Sequence, residues 1–327
     1  MTLFSLDALR DAERTVRQLV PVTPAYAWPL LAGRTGVDVF VKHENHTPTG
    51  AFKVRGGLVY FDAWRRSGEE LTGVVTATRG NHGQSVALAA THHGVPSVVV
   101  VPHGNSKEKN AAMRGFGAEV VEAGADFDEC RALALQIARD RGYHMLPSFH
   151  PMLVKGVATY AYELFTAVPD LAAVYVPIGM GSGICGLITV RDLLGLETEI
   201  VGVVADNAPA FALSFEAGHP VPTDSAETFA DGMACRDPQP EPLEIISRGA
   251  SRVLRLAEDE IAEAIRIYYS DTHNLAEGAG AASLAGLIQE KDRYAGQRVA
   301  TILSGANMDK EVFMEALSGR TPRPRQT

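Results

Sequence analysis

The chain has 327 residues, 46% of them hydrophobic and 21% charged, with 30 Lys and Arg against 39 Asp and Glu for a formal charge of −9. That length exceeds the size at which single cores stop growing and predicts two domains, while the composition excludes disordered, collagenous and disulfide-built classes. The acidic balance, with basic residues scattered, argues against nucleic acid as a partner, and Cys130, Cys185 and Cys235, odd in number and far apart, give neither a disulfide framework nor a CxxC metal site and fit a reducing cytoplasm.

The first twenty residues are broken by Asp7, Arg10, Asp11, Glu13 and Arg14, so no apolar run is present for a signal peptide or a spanning helix, and no membrane is expected as a partner. From Val37 onward short β-branched runs alternate with amphipathic stretches, the pattern of βα units feeding a largely parallel sheet. Strands are predicted at 37–42, 73–78, 97–102, 118–123, 172–179, 199–205 and 298–305, and helices at 51–64, 83–93, 106–116, 126–141, 155–167, 258–272 and 278–291, with Ser106 and Asp126 as N-caps. The stretch 206–252, rich in Pro, Gly and Asp, reads as a loop-rich excursion, and 321–327 reads as a frayed tail.

Four strand-end turns hold the chemistry, since ligands of open α/β sheets gather at the carboxyl ends of strands. In TPTGAFKVRGG, Pro48 and Gly50 mark a turn before a helix whose first turn holds Lys53; the positive helix end and burial would both favour a neutral, nucleophilic amine. The bland alternative is a surface lysine in a basic segment with Lys42 and Arg55. In TATRGNHGQS, the amides of Arg79 to Gly83 open a helix and suit a carboxylate, although GNHG also reads as an ordinary tight turn. In GMGSGICG, glycines let backbone amides close around a phosphate; a dinucleotide fingerprint competes but lacks its βαβ context. In LSGANMD, Ser304 can meet a ring nitrogen or cap a helix.

In order and spacing these turns resemble the fold-type II pyridoxal-phosphate enzymes, the tryptophan synthase β-like class, and within it the threonine/serine dehydratase and serine racemase branch. The resemblance runs from about Val22 to Asp309 and includes GFGAEVVEAG, FADGMA and EGAGAASLAG. It implies an α/β architecture of two domains, each an open parallel sheet with helices on both faces: a large cofactor-binding domain from 1–72 and 151–320 and a small inserted domain at 73–150, with the active site between them. It implies that Lys53 binds pyridoxal 5'-phosphate as a Schiff base, that Phe52 packs against the ring, that Asn81 contacts the ring hydroxyl, that Gly179, Met180, Gly181, Ser182 and Gly183 hold the phosphate, and that Ser304 faces the ring nitrogen. Thr78, Arg79, Gly80, Asn81 and His82 would receive the substrate carboxylate. The activity implied is β-elimination from L-threonine, L-serine or a related 3-hydroxy amino acid to a 2-oxo acid and ammonia, by a cytoplasmic homodimer.

Three departures from the family pattern qualify this. Arg79 stands where racemases of the branch place a serine, and a permanently charged guanidinium cannot be that second base; it either grips a substrate carboxylate, which makes 3-hydroxyaspartate attractive, or braces the loop through an ion pair. In VGVVADNAPA, Val204 and Ala210 occupy the apparent acidic positions of metal-stimulated relatives, so no metal is expected. Lys155 stands near a position where many relatives have Gln. The histidine pairs His43/His46 and His92/His93 are assigned surface or packing roles.

Overall fold

A computed structural model describes residues 3–124 and 127–324. Two sheets organise them. The larger has the order β1-β2-β10-β7-β8-β9, formed by β1 (Ala25–Ala27), β2 (Asp38–His43), β7 (Ala173–Pro177), β8 (Glu199–Ala205), β9 (Arg252–Leu256) and β10 (Arg298–Leu303), parallel except for the β1–β2 pair. The smaller is fully parallel, with the order β5-β4-β3-β6, from β3 (Val74–Ala77), β4 (Ser97–Val101), β5 (Glu119–Glu122) and β6 (His144–Met145). Among the described residues no helix is long and apolar enough to cross a membrane.

All seven predicted strands are present within two residues of their expected limits, because each is a β-branched run in a sheet covered by helices. Ser106 caps helix Lys107–Gly115 by accepting from the Lys109 amide at 3.0 Å; Asp126 lies outside the described residues. The stretch 206–252 departs from expectation: it contains helices Ala210–Ala217 and Pro240–Gly249 and a 3₁₀ turn, Asp231–Met233. Pro at the first turn starts the second of these, and Pro242, Leu243, Ile245 and Ile246 bury its apolar face.

Helix Lys53–Ser67 is wedged between helices Asn81–His92 and Pro151–Ala167, and glycines make the wedge possible. A Cβ on Gly57 would lie 2.4 Å from Ser85 Oγ, one on Gly56 would lie 2.8 Å from the Leu153 carbonyl, and one on Gly156 would lie 2.2 Å from the Arg55 carbonyl. The helix that begins with Lys53 thus touches helices packed on both sheets.

Candidate active site

Lys53 opens its helix from a turn stapled to the end of β10. The Phe52 amide donates to the Ser304 carbonyl at 3.1 Å, the Ala306 amide to the Gly50 carbonyl at 2.9 Å, and Asn307 Nδ2 to the Thr49 carbonyl at 2.7 Å, with Ala51 and Gly305 forming an isolated bridge. Gly50, at φ +67°, supplies the left-handed bend this needs, and its α-carbon faces the Asn307 amide. Lys53 borders a cleft, half-buried, with its amine donating to Ser182 Oγ at 2.9 Å. Among the described residues it makes no ion pair with a carboxylate, and burial alone pushes it down to about 8. Phe52 is half-buried, its ring 4.9 Å from the Lys53 amine and edge-on to Tyr160.

The bland reading of Lys53 as part of a basic surface segment is overturned by its neighbours. Lys42 and Arg55 are 1% and 0% exposed, and they form a buried cluster with Glu44 and Glu163. Arg55 reaches Glu44 at 2.7 Å and Glu163 at 2.6 Å, and Lys42 reaches Glu163 at 2.5 Å. Against the upward push of burial, Arg55 and Lys42 hold the Glu163 carboxyl well below the usual range. Sequence neighbours do not reveal this, since Glu163 is 108 residues from Arg55.

The turn Gly179–Ser182 links β7 to helix Ser182–Leu193, with Gly181 at φ +91° as its N-cap. Gly179 and Gly181 have no room for a side chain, a Cβ on the first lying 2.2 Å from the Gly232 carbonyl and on the second 2.8 Å from Pro242. Gly183 is pinned through its carbonyl by Tyr160 Oη at 3.0 Å. The turn therefore presents the free amides of a helix start beside the Lys53 amine. Met180 is half-buried against the core under this turn. Ser304 is buried, and its hydroxyl has no hydrogen-bond partner among the described residues; Asp309, not Ser304, is the N-cap of helix Lys310–Leu317.

Gly80 precedes helix Asn81–His92, and Thr78 Oγ1 accepts from the Gly80 amide at 3.2 Å. Asn81 donates through Nδ2 to Glu277 at 2.6 Å and accepts from Asn307 at 2.8 Å. His82 is 8% exposed, and its Nε2 has no partner among the described residues; burial, with the nearby Lys53 charge adding to it, pushes it down to about 3. Arg79 is half-buried and makes no hydrogen bond or ion pair among the described residues, so none of them receives a bracing contact from it. His43, assigned a surface or packing role, is fully buried and accepts from Trp28 Nε1 at 3.1 Å.

Three site residues escaped the sequence. Lys109 reaches Asp231 at 2.7 Å and Glu277 at 3.3 Å, beside Asn81. The signal for two of them was present as single acids inside the glycine-rich FADGMA and EGAGAASLAG stretches.

The family model described as pyridoxal-phosphate dependent enzyme matches residues 16–305. The L-threonine ammonia-lyase of Thermotoga maritima is 33% identical over 94% of this chain and 76% of its own length. The L-threo-3-hydroxyaspartate ammonia-lyase of Saccharomyces cerevisiae is 28% identical over 96% of both chains. The chain spans only 58% of the length of several biosynthetic threonine dehydratases that it also matches. Among solved structures, the T.th. threonine deaminase superimposes with a TM-score of 0.88 at 30% identity, covering 94% of this chain and 99% of that one.

Proposed function

The chain belongs to the pyridoxal-phosphate dependent enzyme family, and on that premise we propose that it eliminates the β-hydroxyl and amino groups of L-threonine, L-serine or a related 3-hydroxy amino acid, giving a 2-oxo acid and ammonia. The observation that carries this reading is the Lys53 amine, free of a carboxylate partner among the described residues and one hydrogen bond, 2.9 Å, from the glycine turn at Ser182. That juxtaposition fits a cofactor whose aldehyde and phosphate arms stand on neighbouring ring carbons, and the unpartnered, buried Nε2 of His82 fits a site that completes its hydrogen bonds with a ligand.

When bound, pyridoxal phosphate supplies the electron sink that lets a bond at the substrate Cα break. The backbone amides of Gly179, Met180, Gly181, Ser182 and Gly183 would hold its phosphate, Phe52 would cover the ring, and Asn81 would give its second amide hydrogen to the ring oxygen. Ser304 would offer a neutral hydroxyl to the ring nitrogen where a carboxylate would keep that nitrogen protonated, which would favour elimination over transamination. Thr78, Arg79, Gly80, Asn81 and His82 would seat the substrate carboxylate at a helix N-terminus. Lys53 takes the proton from Cα, a task suited to an amine that burial lowers to about 8. His82, kept neutral, adds no competing charge. The β-hydroxyl would leave as water, taking up one proton as Lys53 removes another from Cα, and the enamine product would tautomerise to an imine that hydrolyses to the 2-oxo acid and ammonia.

The division into a large domain, 1–72 and 151–320, and a small one, 73–150, belongs to this reading, as does a homodimer, whose mass sedimentation would give. The test is borohydride reduction of the holoenzyme followed by peptide mapping, together with keto acid release from L-serine and L-threonine without added thiol. A pyridoxyl label on Lys53 and release of keto acid are expected; a label elsewhere, or no turnover of any 3-hydroxy amino acid, would sink the proposal.

A second reading narrows the substrate. Arg79 is a half-buried guanidinium without a partner among the described residues, and a bidentate fork suits a second carboxylate on the substrate. This favours 3-hydroxyaspartate, which adding its threo and erythro forms to the keto acid release assay would test. Racemisation is disfavoured because no second base stands at position 79.

A further inference from the structure

Lys109 lies on helix Lys107–Gly115, beside the four-stranded sheet, whereas Asp231 begins a 3₁₀ turn and Glu277 caps helix Gly278–Gln289, both packed on the six-stranded sheet. The Lys109 amine donates to both Asp231 oxygens, at 2.9 and 2.7 Å, and pairs with Glu277 Oε2 at 3.3 Å. Lys109 and Glu277 are buried, at 5% and 2% exposure. Around them the same helix makes further ties to the other sheet: Ser106 Oγ bonds Asp309, and the Lys310 amide donates to Glu108 at 2.9 Å. The Lys109 stem also fills the space beside Gly80, where a Cβ would meet Lys109 Cδ at 2.3 Å.

The other oxygen of Glu277, Oε1, accepts from Asn81 Nδ2 at 2.6 Å, while Asn307 Nδ2 donates to Asn81 Oδ1 at 2.8 Å. Asn81 is thereby read at both ends. Turning its amide over would set oxygen against the Glu277 carboxylate and nitrogen against the Asn307 nitrogen, so a single orientation is allowed, with one Nδ2 hydrogen left for a ligand. Two carboxylates share one ammonium here; burial raises Glu277, and Asp231 and Glu277 together outweigh the desolvation of Lys109.

We propose that Lys109, Asp231 and Glu277 form a latch between the two sheets, and that Glu277 is a positioning residue through which the seating of Lys109 fixes the direction in which Asn81 presents its amide hydrogen to the cofactor's ring oxygen. This rests on the reading that Asn81 faces that oxygen. Glutamine at 277 keeps the shape but must place its nitrogen against either the Lys109 ammonium or the Asn81 amide hydrogens, so one arm always fails. Asp231 is the remote arm: its carboxylate bonds Lys109 and, among the described residues, touches neither Asn81 nor Ser304.

The experiment uses holoenzyme and reads three quantities: the ratio of visible to near-ultraviolet absorption of the bound cofactor, which responds to a donor at its ring oxygen, hydrogen exchange in 107–115, and kcat against KM. Glu277→Gln is expected to change the absorption ratio by about fivefold, the worth of one hydrogen bond, and to lower kcat more than it alters KM, while borohydride still labels Lys53. Asp231→Asn is expected to speed exchange in 107–115 and to move the ratio in the same direction by less. Lys109→Met, which keeps the stem over Gly80, carries the same expectation should Glu277→Gln fail to fold. A wild-type ratio in Glu277→Gln or Lys109→Met overturns the positioning role, and a wild-type ratio and exchange in Asp231→Asn overturn the coupling. Absence of the Lys53 label in wild type would instead overturn the functional reading.

Discussion

Lys53 and Lys109 are both drawn into the protein, and their surroundings drive them in opposite directions. Lys53 meets the hydroxyl of Ser182 and, among the described residues, no carboxylate, so burial prevails and takes the amine down to about 8. Lys109 meets Asp231 and Glu277, which outweigh its desolvation and hold it above the ordinary lysine range. Lys42 lies between: Glu44 and Glu163 oppose burial without overcoming it. On the proposed reading the same side chain serves as nucleophile or as strut according to which counter-charges are withheld, and the lowered value of Lys53 comes from what its pocket leaves out.

The sharpest way to break this comparison is Lys53→Met, which should lower turnover by at least about a thousandfold, as expected when a covalent anchor and proton carrier are lost together; a variant within tenfold of wild type would show that Lys53 is not the reactive lysine. Next comes the strut class. Glu163→Gln leaves Lys42 and Arg55 underpaired in a buried cluster and should cost about 3–5 kcal/mol in denaturant unfolding, whereas a cost under about 1 kcal/mol would mean that the cluster is hydrated.

A third test uses linkage. The folded-state value of Lys53, about 8, lies below its ordinary 10.5, so the unfolded chain binds the proton more tightly and the amine costs stability below about 8. In cofactor-free protein Lys53→Met should therefore gain about 2–3 kcal/mol at neutral pH, with the gain fading as pH rises from about 8 to 10.5. A gain independent of pH would assign it to packing. The smallest effect concerns Arg79, on the proposed reading a substrate contact: Arg79→Gln should lower kcat/KM for 3-hydroxyaspartate about tenfold relative to L-threonine, the scale of one charge-assisted contact, and an unchanged ratio would remove Arg79 from substrate recognition.

The fold was legible where it rests on local signals. Runs such as SVVVV at 97–101 and the glycine turns at 50 and 181 declare themselves, because β-branching and left-handed backbone are properties of the residues in place. Strands of three and two residues, Ala25–Ala27 and His144–Met145, are too short to show a period. In the candidate site, Lys53, Ser182 and Asn81 stand in turns that the sequence singled out, their roles being what the resemblance implies. Lys109 did not, because its meaning depends on Asp231, 122 residues away, and no periodicity within its own helix records a partner on another element. Glu44 and Glu163 were hidden for the same reason.

The glycine wedge around helix Lys53–Ser67 extends the active site beyond its cleft. At Gly156 a methyl group would press on the Arg55 carbonyl, and at Gly56 on the Leu153 carbonyl, and backbone cannot step aside as a side-chain tip can. One of the two helices would have to shift, and a shift of helix Lys53–Ser67 would disturb the 2.9 Å bond between Lys53 and Ser182. Positions outside the cleft thus set the machining tolerance of the Lys53 amine, and screens that sample only the cleft lining would miss some of the strongest controls on its placement.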